Sequence, residues 1–126
     1  MSVVFVADDD DDMRSLLVTS LERDGYDVRE ASNGAELLDL LAHVTLLDKP
    51  DVIVTDVFMP KYTGLGILEA VRKAGWLTPI VVLTAHHDDR LRDDALRLGA
   101  TSFIRKPFEM ADLRVAILGA IHRDDG

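Results

Sequence analysis

Short unbroken apolar runs alternate along this chain with longer stretches in which apolar residues return every three or four positions. Val3 to Ala7 reads VVFVA, Val52 to Thr55 reads VIVT, and Ile80 to Thr84 reads IVVLT. Runs this short and continuous predict strands buried on both faces. Tyr26 to Ala31 (YDVREA) alternates like a strand, and Thr101 to Arg105 (TSFIR) predicts a last one. Between them lie helical stripes. Met13, Leu16, Leu17 and Leu21 form the first, with Asp10 as its N-cap and Gly25 as its stop. Asn33 caps a second, carrying Leu37, Leu38, Leu41 and Ala42. After a loop from Pro60 to Gly64 comes a third, through Leu65, Leu68 and Val71, whose first turn Gly66 weakens. Leu91, Ala95 and Leu98 make the fourth, closed by Gly99, and Leu113, Ala116, Ile117, Ala120 and Ile121 the fifth.

The order is therefore strand then helix, five times over, with no linker, repeat or shift in composition. Parallel strands need crossovers, and helices on both faces supply them. The expected architecture is one domain, residues 1–126, built as an open doubly wound α/β sheet. In such sheets the ligand crevice lies beyond the carboxyl ends of the strands. That rule selects residues before any motif is invoked: Asp8 and Asp9 after the first strand, Asp56 after the third, Thr84 and Ala85 after the fourth, and Lys106 after the fifth.

Composition narrows what this crevice can do. The 126 residues suffice for a real core, and 48% hydrophobic against 29% charged is a globular balance. No apolar run approaches bilayer length and no secretory signal opens the chain, which fits a cytoplasmic protein with no membrane role. There is no cysteine, so disulfides, thiolate catalysis and cysteine zinc sites are excluded. The formal charge is −9, against a direct nucleic-acid footprint on this domain. Asp8 to Asp12 hold the largest block of it, ADDDDDMR, at the end of the first predicted strand. So many like charges call for a positive partner.

Three carboxylates at close range do not all stay ionised without a counter-charge. A hard divalent cation with oxygen ligands resolves this. Mg²⁺ suits few protein carboxylates and several retained waters better than Ca²⁺ does. An open coordination position on such an ion binds a phosphoryl oxygen, Lys106 can take a second, and Thr84 can donate to a third. A carboxylate at the centre of this arrangement can attack phosphorus and become an aspartyl phosphate.

The segments ADDDDDMR, VIVTDVFMP, VVLTA and FIRKPF, in this order and spacing, resemble the signature segments of the receiver domain of two-component response regulators. The resemblance covers about Val3 to Ile121. It implies the flavodoxin-like strand order 2-1-3-4-5 and a phosphorylation-controlled signalling switch rather than a turnover enzyme. It implies Asp56 as phosphoacceptor, Asp9 as a direct Mg²⁺ ligand, Asp8 as one acting through water, and the backbone carbonyl of Phe58 as a further ligand. Thr84 and Lys106 would bind the phosphoryl group. Thr84 and Phe103 would be the switch pair, and the bond before Pro107 would be cis. Phe58 and His86 would flank the approach of hydrolytic water, which implies slow loss of the phosphoryl group. The partners implied are a sensor histidine kinase or phosphotransfer protein, and an effector, output domain or second copy on the face of the fourth helix, fifth strand and fifth helix.

Departures from the family pattern are present. Asp11 stands where proline is common, Tyr62 and Thr63 replace the commoner Met-Asp before Gly64, and the connection from Gly34 to Pro50 is about one helical turn long in excess. None removes a chemical group from the crevice. The rival reading is a haloacid-dehalogenase-like, Mg²⁺-dependent phosphohydrolase, for which Asp8 and Asp10 supply a D-x-D; Asp11 and Asp12 then stand where that family expects other residues. A flavodoxin-like electron carrier would need a glycine- and hydroxyl-rich loop where this chain is acidic. The last residues, IHRDDG, leave open both a stand-alone regulator and a piece of a longer chain.

Overall fold

A computed structural model describes residues 2–45 and 47–122. The five strands are β1 (Val3–Ala7), β2 (Asp27–Ala31), β3 (Val52–Asp56), β4 (Ile80–Thr84) and β5 (Ser102–Arg105). They form one parallel sheet in the order β2-β1-β3-β4-β5. The helices are α1 (Asp11–Arg23), α2 (Gly34–Ala42), α3 (Gly64–Lys73), α4 (Asp89–Arg97) and α5 (Met110–His122). This is the doubly wound, flavodoxin-like arrangement expected, and each strand keeps its place to within a residue or so.

The alternation of side chains along each strand divides the core in two. Val3, Phe5, Ala7, Ile53, Ile80 and Val82 face α2 and α3, where they meet Leu37, Ile67, Leu68 and Val71. Val4, Val6, Val52, Val54, Val81 and Leu83 face α1 and α5, where they meet Leu17, Leu21, Leu113 and Ile117. Every residue of β1, β3 and β4 is buried, which is why these three read as unbroken apolar runs. β2 and β5 lie at the sheet edges, and their burial is partial.

The helix ends follow local chemistry. The Asp10 carboxylate accepts from the backbone N–H of Asp12 (3.0 Å) and Met13 (3.1 Å), and Asn33 accepts from Glu36 (2.9 Å). Two details differ from the sequence pattern. Leu16 is 53% exposed rather than part of the buried stripe, since α1 meets the sheet through Leu17 and Leu21, with Met13 partly buried beside them. The first turn of α3 is well formed despite Gly66, because Thr63 caps it by accepting from the Gly66 N–H (3.1 Å). α2 ends at Ala42, and the described residues between it and β3 form neither helix nor strand.

One glycine matters to the crevice. The Gly64 N–H donates to Val57 O at 2.7 Å, so the turn after β3 folds back tightly on itself. A Cβ on Gly64 would overlap the Asp56 carbonyl oxygen, a backbone atom with no freedom to retreat. Gly64→Ala is therefore expected to lower stability by about 1–3 kcal/mol, as overpacking does. Urea unfolding followed by far-UV circular dichroism checks this, and an unchanged midpoint would show that the turn yields.

Candidate functional site at the carboxyl ends of the strands

The tight turn and the sheet order bring the sequence-selected residues together. Asp8 follows β1 and is fully buried; its N–H donates to Ala31 O at the end of β2 (3.2 Å). Its carboxylate accepts from the Asp10 N–H (2.9 Å), which bends the chain away from the sheet into α1. Asp56 ends β3 and is 8% exposed. Its Oδ1 accepts from the Phe58 N–H at 3.3 Å, an Asx-type turn that places the Phe58 peptide beside the carboxylate. Lys106 follows β5, and its own N–H donates to Thr84 O at 2.7 Å, which ties it to the end of β4.

The Lys106 ammonium lies between two carboxylates, 2.9 Å from Asp8 Oδ2 and 2.8 Å from Asp56 Oδ2. Asp9 is exposed at the crevice mouth. Carboxylate oxygens of Asp8, Asp9 and Asp56 all lie within 4.8 Å of one another. Three carboxylates against one ammonium leave two negative charges uncompensated. The donor set thus fits a hard divalent cation in number, in chemistry and in charge.

The titration of the two central groups follows. Burial pushes the Asp56 carboxyl up, and the hydrogen bond and charge of Lys106 only partly oppose this. Burial would lower the Lys106 ammonium, but its hydrogen bonds to Asp56 and Asp8 outweigh that and raise it. One ammonium shared between two acids is itself well stabilised, yet it does not satisfy Asp56 fully.

The remaining sequence-selected residues frame the crevice. Thr84 is buried, and its hydroxyl oxygen accepts from the His86 N–H (3.0 Å), leaving its own hydrogen available for donation. His86 and Phe58 form an aromatic pair at the rim, with ring centroids 4.3 Å apart and planes tilted by 59°. Phe58 is 47% exposed, and His86 and His87 are exposed as well. The Lys106–Pro107 bond is cis. Phe103 is half-buried on β5, paired in register with Val82, and it lines a surface cavity of about 380 Å³ with Arg92, Ile104 and Arg105. Above it, α4 contributes only Ala95 as a fully buried residue. The sequence reading did not single out Arg14, whose guanidinium donates to the Asp8 carbonyl at 2.9 Å. No pattern in the residues around it signals this partner.

The raised Asp56 carboxyl has a stability consequence. A carboxyl raised in the folded state takes up protons more readily there than in the unfolded chain, so ionising it costs stability. The cost is absent below about pH 4, the unfolded carboxylate value, and complete once pH exceeds the folded value. Without divalent cations, Asp56→Asn is expected to be more stable than the parent at pH 7, with the advantage vanishing towards pH 4. Denaturant unfolding across this range checks it; an advantage independent of pH would assign it to something other than the carboxylate.

The chain matches the response regulator receiver domain family over residues 4–118. It is 38% identical over 126 residues to the response regulator MprA of Mycolicibacterium vanbaalenii, covering 98% of this chain and 53% of that protein. It is 34% identical over 122 residues to the alkaline phosphatase synthesis transcriptional regulatory protein PhoP of Bacillus subtilis, covering 97% and 49%. The chain thus spans about half the length of these curated relatives. Among solved structures, a response regulator receiver domain protein from Clostridium thermocellum superposes with a TM-score of 0.90 at 32% identity, covering 99% of this chain and 98% of that one. Among the described residues, no helix is long and apolar enough to cross a membrane. Receiver domains are phosphoacceptor switches that bind Mg²⁺ at an acidic pocket and work with histidine kinases and output domains; fold, acidic crevice and these likenesses agree, and the chain belongs to the receiver domain family of two-component response regulators.

Proposed function

We propose that Asp56 is the phosphoacceptor of this chain and that Asp8, Asp9 and Asp56, with the backbone carbonyl of Phe58, hold Mg²⁺. The observation that carries this reading is the convergence of three carboxylates and one ammonium from three strand ends, with two negative charges left over. Mg²⁺, when bound, supplies that charge and a coordination position for a phosphoryl oxygen.

The residues perform the transfer as follows. An Asp56 carboxylate oxygen attacks the phosphorus of a phosphohistidine on a sensor kinase or phosphotransfer protein. The new O–P bond forms as the P–N bond breaks, and the histidine nitrogen leaves with the electron pair. Asp56 reaches the reaction already positioned by the Phe58 N–H, and its ammonium partner exchanges one carboxylate oxygen for a phosphoryl oxygen. Lys106 thus offsets charge on both sides of the step. The Thr84 hydroxyl donates its hydrogen to a phosphoryl oxygen and draws the end of β4 inward. Phe103 follows into the vacated space, and α4, held by a single fully buried residue, moves with it. This shifts an existing equilibrium between two surfaces rather than building a new one. The face of α4, β5 and α5 then meets an effector, an output domain or a second copy. In the longer relatives the remaining half of the protein is the natural recipient of this change.

Treating the ¹⁵N-labelled chain with acetyl phosphate and Mg²⁺ is expected to add one phosphoryl group by intact mass. It should also move the amide resonances of Phe103 and α4. Asp56→Asn should show neither. Equal labelling of the variant, or shifts confined to the aspartate loop, would overturn the assignment.

The rim pair bears on how long the phosphoryl group lasts. Hydrolysis needs a water held in line with phosphorus, and Phe58 offers no polar group to hold one while its ring, set against His86, occupies the approach. Self-dephosphorylation is expected to take minutes or longer, and Phe58→Asn to accelerate it several-fold, as measured by decay of the labelled mass after the donor is removed. Loss within seconds in the parent, or no acceleration in the variant, would show that Phe58 does not shield the bond.

A further inference from the structure

Arg14 has no role in the reading given so far, yet it touches three separate places: the peptide after β1, the first turn of α1, and β2. Its Nη1 donates to the Asp8 backbone carbonyl at 2.9 Å, its Nη2 to Asp11 Oδ1 at 2.6 Å, and its Nε to Glu30 Oε1 on β2 at 3.0 Å. The side chain is 15% exposed, well covered for an arginine. The Asp8 carbonyl belongs to the peptide plane that joins Asp8 to Asp9. Holding that oxygen sets the direction in which both carboxylates leave the chain. Glu30 and Asp11 anchor the guanidinium from opposite sides, one on the sheet and one on the first turn of α1.

We infer that Arg14 is the positioning residue of the metal site: it fixes the Asp8–Asp9 peptide so that the two carboxylates converge with Asp56. This rests on the Mg²⁺ reading above. The planar fork is essential to the argument. Three donors in fixed directions reach three acceptors at once, which a lysine ammonium on a flexible stem cannot reproduce. The rival explanation is that Arg14 merely neutralises charge. The two differ in sign. Removing a cation from beside an acidic site strengthens its pull on a divalent cation, so a purely electrostatic arginine weakens Mg²⁺ binding by its presence. A positioning arginine strengthens it.

Isothermal titration of Mg²⁺ into the full chain separates them, with Arg14→Gln, Arg14→Lys and Glu30→Gln as variants. Metal-free thermal unfolding is recorded for each. Arg14→Gln and Arg14→Lys are both expected to bind Mg²⁺ about tenfold more weakly or worse, the range typical of groups that orient metal ligands. Glu30→Gln, which loosens one anchor, should show a smaller loss in the same direction. Parental affinity in Arg14→Lys, or tighter binding in Arg14→Gln, would overturn the inference. So would a fall in metal-free stability with affinity unchanged, which marks a purely structural arginine. Should Arg14→Gln not fold, Arg14→Lys and Glu30→Gln decide the matter on the same criterion. A parent chain that binds no Mg²⁺ would overturn the metal reading itself, whereas a parent that binds alongside equally tight variants removes only the role of Arg14.

Discussion

The shared hydrogen bonds of Lys106 to Asp8 and Asp56 are the interaction on which the crevice depends. The three residues lie far apart in the chain and meet only because β1, β3 and β5 run parallel and end at the same level. Each partner is nearly or fully buried, so each would be expensive alone. Removing Lys106 would be costly, because two buried carboxylates would stay behind without a counter-charge, whereas losing the Asp56 charge leaves Lys106 paired with Asp8. Yet the trio is deliberately incomplete as an electrostatic unit. One ammonium cannot satisfy two carboxylates and a third at the rim, and the Asp56 carboxyl, pushed up mainly by its burial, is only partly held down by that ammonium.

The rest of the fold can be understood as support for this imbalance. The continuous apolar strands β1, β3 and β4 give the sheet a core on both faces, which fixes the strand ends rigidly. The Asx turn at Phe58, the Asp10 cap and the Gly64 turn then set the short segments beyond those ends. Charge is concentrated where helix dipole, backbone N–H groups and Arg14 can face it. The aspartate run divides by position: Asp8 faces inward, Asp9 is exposed at the crevice mouth, Asp10 caps, and Asp11 and Asp12 sit exposed in the first turn of α1.

Most of this was legible in the sequence, for reasons that differ from residue to residue. Unbroken runs such as VIVT can scarcely be anything but buried strands, and the strand-end rule then locates Asp56 without knowledge of any contact. Asp10 and Asn33 announce themselves as caps. Leu16 did not read correctly, because spacing alone cannot say how wide an apolar stripe the sheet will cover, and α1 meets it through Leu17 and Leu21. Thr63 is not legible as a cap from its neighbours, since Gly66 signals the cost of the turn and not its remedy. Arg14 was invisible for a deeper reason. Its partners lie on β2 and on a backbone carbonyl, and neither is encoded by a pattern in the residues around it. The resemblance to receiver domains added the strand order and the switch roles proposed for Thr84 and Phe103, which spacing could not supply.

The sparse packing of α4 has a consequence for how such a domain can diversify. Only Ala95 of that helix is fully buried, and its outer surface is a mosaic of aspartates and arginines in water. Exposed substitutions of this kind usually alter stability by no more than about 0.5 kcal/mol. The surface proposed to meet other molecules can therefore be rewritten residue by residue while the buried carboxylates and lysine stay as they are. Chemistry and recognition are carried by parts of the fold under very different constraint, so a lineage can acquire new correspondents without relearning the reaction.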